Sequence, residues 1–267
     1  MSIQYRAAAP SDYANLTALW SVVFNEPQEA VALFFNRNLS LHAYMAQRNG
    51  APVAAVYLTD ATLNGEPAHY LCGAATLPAF RGRGIMSRLI AFALNDARSR
   101  GDCYSLLYPA NEGLYRFYER LGYHANCGTS ALRLSRAAME ADAAAPLATV
   151  AAPDYEAMQR ACFHDNFLLQ NNNFMRFAID YYRFYGTQVL STSRCLALWE
   201  EENETATVFY SIYYDFKELK YLLLQHSGAL EFVFLGKNGE PLPHGGMLKA
   251  LHDSGPLPRP YIGITLQ

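Results

Sequence analysis

The sequence predicts a mixed α/β chain of two domains, and three observations carry that prediction. Segments of helical period and segments of strand period alternate along the chain, which favours sheets with helices packed on them. An alanine-rich stretch of little pattern, residues 136–153, interrupts the alternation and reads as a linker between a domain at 1–135 and another at 154–267. The 267 residues suit two ordinary domains, and with 51% hydrophobic and 17% charged residues they can bury sizeable cores.

Each element has its own signal. In "PSDYANLTALWSVVF" (10–24), Leu16, Leu19 and Val23 recur at helical spacing behind Ser11 or Asp12 as cap. A second helical stretch follows at about 28–35. "HAYMAQ", "PVAAVYLTD" and "AHYLCGAAT" are strand-like and are separated by Asn49-Gly50 and Asn64-Gly65, dipeptides that supply the positive φ angles of tight hairpins. They predict an antiparallel meander of three strands. Ile85–Arg100 is helical, with Arg98 and Arg100 in its last turn and Gly101 just beyond. "CYSLLY" (103–108) is a strand; because it follows a crossover helix, it should run parallel to the strand before the helix. Asn111 can cap a short helix at 112–121 that ends at Gly122, and "YHANCGTSALRL" returns as one or two closing strands. The second half shows helical stretches at 154–163 and 172–185, then strand-like runs at 195–200, 205–214, 219–224 and 231–235. "NGEP" occurs at 64–67 and again at 238–241, and helices precede hairpins in both halves, the pattern of a duplicated fold.

Composition narrows the function. A net charge of -3 argues against a general nucleic-acid-binding surface while leaving room for a local basic site. No apolar run approaches the roughly 20 residues of a membrane span, and the N-terminus lacks the basic-then-apolar pattern of a secretory signal. The five cysteines are widely spaced, odd in number and without CxxC, so neither a disulfide framework nor a structural zinc site is expected, and a cytoplasmic location fits. The histidines form no H-E-x-x-H, so no metal is expected. Cys162, His164 and Asp165 are residue types of a catalytic triad, but adjacency in sequence is no argument for triad geometry.

One turn stands out. Arg81, Gly82, Arg83 and Gly84 stand between an apolar strand and the helix that opens at Ile85. A helix N-terminus carries unpaired N–H groups and partial positive charge, glycines let an anion approach them, and arginines add full charge. The turn therefore suits phosphate or pyrophosphate; the plainer alternative is a solvated basic loop. A P-loop needs Lys-Ser/Thr after the glycines, whereas Ile85-Met86 follows Gly84. A dinucleotide fingerprint is nearly met by Gly82, Gly84 and Ser87, which keeps an NAD-dependent oxidoreductase as an alternative, but the preceding strands are hairpin-linked rather than wound through helices.

"TLPAFRGRGIMSRLIAFALNDARSRG" followed by "CYSLLYPANEGLYRFYERLGY" resembles the GNAT superfamily of acetyl-CoA-dependent N-acetyltransferases. The family pattern [R/Q]-x-x-G-x-[G/A] falls on Arg81, Gly84 and Met86. Met86 departs from the usual glycine or alanine, as in branches resembling the enhanced-intracellular-survival acetyltransferases, which pair a competent GNAT domain with a degenerate one. The resemblance implies a splayed mixed sheet, a CoA pyrophosphate on the amides of Gly82, Arg83, Gly84, Ile85 and Met86, and a pantetheine arm along Ala75, Thr76 and Leu77. It further implies a cofactor contact from Asn111 and a proton donor to the departing thiolate at Tyr118, with Tyr115 as a competing phenol. Core packing for Tyr118 and helix capping for Asn111 are the structural alternatives. The implied reaction is direct transfer from acetyl-CoA to a primary amine of a small molecule or peptide; a CoA-binding sensor without turnover is the rival, and self-association is open. Glu26, His69 and Glu112 are candidate general bases, and the terminal carboxylate after Gln267 is another. The tandem resemblance implies that the second half is a degenerate GNAT-like domain; its aromatic runs read first as core and interdomain packing, and the sharper alternative is that it shapes the acceptor site.

Overall fold

The computed structural model describes residues 2–36, 41–147, 151–237, 239–242, 245–252 and 255–265. Along the chain run β1 (Gln4–Ala7), α1 (Tyr13–Phe24), α2 (Gln28–Asn36), β2 (Leu41–Arg48), β3 (Ala51–Leu63), β4 (Glu66–Thr76), α3 (Ile85–Arg100), β5 (Tyr104–Leu107) and α4 (Glu112–Glu119). Then follow β6 (Ser130–Ser135), α5 (Arg136–Glu140), α6 (Tyr155–Phe163), β7 (Leu168–Gln170), α7 (Asn172–Phe184), β8 (Gln188–Ser191), β9 (Cys195–Glu202) and β10 (Thr205–Tyr213). The last elements are α8 (Phe216–His226), β11 (Glu231–Gly236), β12 (Glu240–Pro241) and β13 (Met247–Ala250). They divide between two compact units, one built on Met1–Asn126 and Gly246–Pro258, the other on Cys127–Gly245 and Arg259–Thr265.

In the first unit the strand order is β1-β2-β3-β4-β5-β13. The meander β2-β3-β4 is antiparallel, as its hairpin dipeptides predict: Asn49 and Gly50 have φ 54 and 80°, Asn64 and Gly65 φ 53 and 87°. β4 and β5 are parallel and joined through α3. The helix lays Leu89, Ile90, Ala93, Leu94 and Ala97 against Val56, Leu58 and Leu71 of the sheet. Each leucine, isoleucine or valine side chain taken fully out of water here contributes roughly 1.5–3 kcal/mol. Trp20 of α1, Phe34 of α2 and Tyr57 of β3 form an aromatic cluster with ring centroids 5.2–5.3 Å apart.

The predicted closing strand of the first domain lies elsewhere. β6 pairs antiparallel with β11 in the second unit, and the place beside β5 is taken by β13, with Met247 opposite Leu107 and Ala250 opposite Tyr104. The units therefore part after Asn126 rather than at 135, and a segment near the C-terminus completes the first sheet. The reason is physical: alternation in "TSALRL" marks a half-buried strand but carries nothing about which sheet edge it joins. The proposed linker at 136–153 also contains structure. Ser135 Oγ accepts from Ala138 N at 3.2 Å, Met139 is fully buried, and the Arg136 guanidinium donates to the carbonyls of Leu224, Ser227 and Ala229. Alanine is the strongest helix former, so an alanine-rich run is as ready to be a docked helix as a spacer.

The second unit repeats the order of the first. Helices α6 and α7 precede the antiparallel strands β8, β9 and β10; α8 then crosses over to β11, parallel to β10; and β6 lies antiparallel on the outer side of β11, as β13 does on β5. The predicted strand at 219–224 is the middle of α8. Asp215 Oδ1 accepts from Lys217 N at 2.8 Å, and Leu219 and Leu223 are buried one helical turn apart. The capping carboxylate and this four-residue spacing outweigh the local run of leucines.

Candidate active site

The parallel pairing of β4 with β5 covers Ala68, His69 and Tyr70 and ends there, while β4 runs on to Thr76. On its other side β4 stays with β3, but the register shifts between Ala55 and Tyr57. At this bulge Gly73 takes φ 59°, and a Cβ on it would strike the Trp20 indole and stand 2.7 Å from the Tyr57 ring. A bulge bends its strand, and beyond Tyr70 β4 no longer pairs with β5. The opening between them leaves a β4 edge at Ala75 and Thr76 that β3 holds through Ala55 and Ala54.

β4 leads into the glycine turn. Leu77 N donates to Val53 O at 3.0 Å, Pro78–Phe80 form one 3-10 turn, and Arg81 Nε reaches back to Thr76 O at 3.0 Å. Gly82 and Gly84 then adopt φ 73 and 70°, left-handed values that glycine takes without steric cost. Gly84 is the N-cap of α3 and offers no side-chain hydrogen bond, so the first-turn amides stay uncovered by any cap. Residues 81–84 are exposed. The guanidinium groups of Arg83 and Arg48 lie 5.6 and 5.8 Å from the Phe80 ring centroid, and Arg88 donates to Arg83 O at 3.4 Å. Open amides, the positive end of a sixteen-residue helix and several arginines are features that suit a phosphate-bearing ligand.

Tyr118 lies in the core under this opening, 6% exposed, packed with Leu71, Leu107 and Met247. Its ring stands edge-on to Phe117 at 5.0 Å and to Tyr123 at 5.8 Å. Burial, reinforced by the nearby Cys72 thiol, pushes its phenol up to about 12. Asn111 is the N-cap of α4: its Oδ1 accepts from Leu114 N at 3.3 Å, which leaves only its amide group to contact a ligand. Tyr115 is half-buried on the same helix.

Of the candidate bases, His69 is fully buried with both ring nitrogens engaged by Asp102 and Ser105, so it cannot meet an acceptor. Glu112 is exposed in the first turn of α4, where a carboxylate favours the helix dipole. The terminal carboxylate lies outside the described residues. The sequence reading missed Gly73 and its bulge, although an isolated glycine in a strand pattern is the usual mark of one.

Residues 4–125 match the family model of the GNAT acetyltransferase domain. Several solved structures share the fold over both halves. A probable N-acyltransferase from Enterococcus faecalis V583 superposes with TM-score 0.69 at 15% identity, over 94% of this chain and 73% of that one. A GCN5-related N-acetyltransferase from Anabaena variabilis ATCC 29413 gives 0.69 at 11% identity over the same shares. Eis1 from Mycobacterium abscessus gives 0.64 at 13%, over 94% of this chain and 74% of that one. Among curated proteins none matches in sequence. Residues 4–125 are thus a GNAT acetyltransferase domain.

Proposed function

We propose that this acetyltransferase passes the acetyl group of acetyl-CoA directly to a primary amine, using only the first unit for chemistry. The observation that carries the proposal is the uncapped glycine turn at the start of α3 beside the parted ends of β4 and β5. The residues fit the group: the turn from Arg81 to Met86, exposed at 81–84, would hold the diphosphate, and the β4 edge at Ala75, Thr76 and Leu77 would line the pantetheine arm. Acetyl-CoA supplies the acyl group as an activated thioester. N–H groups fixed along a bent strand edge can polarise an acyl carbonyl without reorganising.

Tyr118 holds the proton for the leaving sulfur. At about 12 its phenol stays protonated at neutral pH, some way above an ordinary thiol near 8.5. The surroundings narrow that gap: burial lifts the Cys72 thiol well above its usual range, and a thiolate released nearby meets the same penalty. The phenol is thus suited to donating as sulfur charge develops.

The second unit has the same strand and helix order without the receptor. Only Tyr214 and Asp215 separate β10 from α8, and the Asp215 carboxylate already occupies the N-terminal amide of Lys217. A diphosphate there would face a fixed negative charge. This supports a tandem arrangement with a degenerate second domain that serves the acceptor. The antiparallel meander before the turn speaks against a dinucleotide-dependent oxidoreductase. All five cysteines are free thiols, which supports placement in a reducing compartment such as the cytoplasm.

The test is steady-state thiol release from acetyl-CoA with a panel of small-molecule and peptide amines, the acetylated amine being identified by mass. Tyr118→Phe should lower kcat roughly 10²–10⁴-fold, the usual worth of a positioned acid. Turnover unchanged in this variant contradicts the assignment.

A further inference from the structure

Beneath the parted strands, four side chains form one continuous hydrogen-bonded row. Asp102 Oδ2 is 2.6 Å from His69 Nδ1, His69 Nε2 is 2.8 Å from Ser105 Oγ, and Ser105 Oγ is 2.6 Å from the Tyr123 hydroxyl. The order carboxylate, imidazole, hydroxyl is that of a hydrolytic triad. Ser105 and His69 are wholly buried and Tyr123 is 1% exposed, so the serine oxygen meets no substrate and the row has some other use.

Its direction follows from charge. Burial holds the His69 imidazole below its usual range, which keeps it neutral. Burial also pushes the Asp102 carboxyl up, but the hydrogen bond from His69 and the nearby Arg100 guanidinium outweigh this, so it stays ionised. A carboxylate only accepts, so His69 donates from Nδ1 and accepts at Nε2 from Ser105. The serine oxygen in turn accepts from Tyr123. Every proton in the row points toward Asp102, which Arg100 anchors at 3.4 Å.

The row lies at the parting of the strands, and two contacts connect it to Tyr118. His69 and Ser105 are register partners next to Tyr70 and Leu106, the last β4–β5 pair, so the row clamps the strands where they part. Tyr123 N donates to Tyr118 O at 3.1 Å. The two rings meet edge-on at 5.8 Å.

We propose that Asp102, His69, Ser105 and Tyr123 are positioning residues for Tyr118: the row pins the Tyr123 phenol, and Tyr123 holds the Tyr118 ring in its place under the opening. This rests on Tyr118 being the acid. Neither the family pattern nor burial alone assigns the row such a role.

Tyr123→Phe removes one oxygen and keeps the ring. It should lower kcat roughly 10- to 100-fold, the scale of a small misplacement of a reacting group, with KM for acetyl-CoA and the affinity for CoA unchanged. Ser105→Ala should do the same and replaces Tyr123→Phe should that variant fail to fold. In a double-mutant cycle, adding Tyr123→Phe to Tyr118→Phe should cost nothing more, because its effect passes through Tyr118. A merely structural row would lower the melting temperature and leave kcat intact, which overturns the proposal, as would losses that multiply in the cycle. Turnover that depends on Tyr118 but not on Tyr123 or Ser105 refutes only the row. Turnover indifferent to Tyr118 removes the acid and the row together.

Discussion

Replacing Gly84 with aspartate puts in the first unit what Asp215 supplies in the second. The steric part of this change is small, since a Cβ on Gly84 would meet nothing nearer than an Arg88 Nη nitrogen at 3.6 Å. The left-handed backbone, φ 70°, adds about 1–2 kcal/mol for a residue with a side chain. That strain is present with and without ligand and largely cancels in an affinity. The electrostatic part does not cancel. Two unit charges 4 Å apart at an effective dielectric of about 20 interact by about 4 kcal/mol, and exposure of the turn to salt reduces this to about half. An aspartate beside a bound diphosphate should therefore cost on the order of 2–4 kcal/mol, roughly 30- to 1,000-fold in Kd. Calorimetric titration of CoA into Gly84→Asp and Gly84→Ala separates the two parts. The alanine variant should bind within about fivefold of the unmodified chain. The aspartate variant should lose at least roughly 30-fold, and its deficit should shrink as salt is added. Equal losses in both variants, or unimpaired binding by the aspartate variant, would refute the reasoning.

Gly73→Ala tests the bulge. Its Cβ would strike Trp20 at a backbone φ of 59°, so left-handed strain and overpacking together should destabilise the first unit by roughly 2–5 kcal/mol, read as a lowered midpoint in thermal or urea unfolding. A midpoint unmoved by this change removes the bulge as a constraint. Tyr118 makes stability fall at alkaline pH. Its folded phenol is raised from 10 to about 12, so its contribution is complete below pH 10 and is lost as pH rises toward 12. By pH 11 the unmodified chain should have lost about 1.4 kcal/mol more than Tyr118→Phe, measured by urea unfolding at pH 8 and 11; equal losses mean the phenol is not buried in solution.

Much of the first unit was legible in its residues because the signals were local. Asn-Gly pairs set both hairpins, and the apolar spacing with Gly101 set the full length of α3. The glycine turn was legible because left-handed backbone at a helix start has few other causes. What remained hidden depends on partners distant in sequence. β6 and β13 are ordinary short strands, and nothing within either says that each completes the sheet of the other half of the chain. The helix at 216–226 shows its capping aspartate plainly, but three consecutive leucines drew the reading toward a strand. The relation of His69, Asp102, Ser105 and Tyr123 emerges only once β4 and β5 are paired, because no spacing rule links positions 69, 102, 105 and 123. Asn111 shows the opposite case: its capping bond was foreseeable from its place before the helix.

Hydrogen–deuterium exchange with and without coenzyme A locates the ligand most directly. The account predicts slowed exchange at the amides of 74–77 and 82–88, with the start of α8 at 215–219 unchanged. Protection absent from the glycine turn, or found at α8 instead, would contradict it.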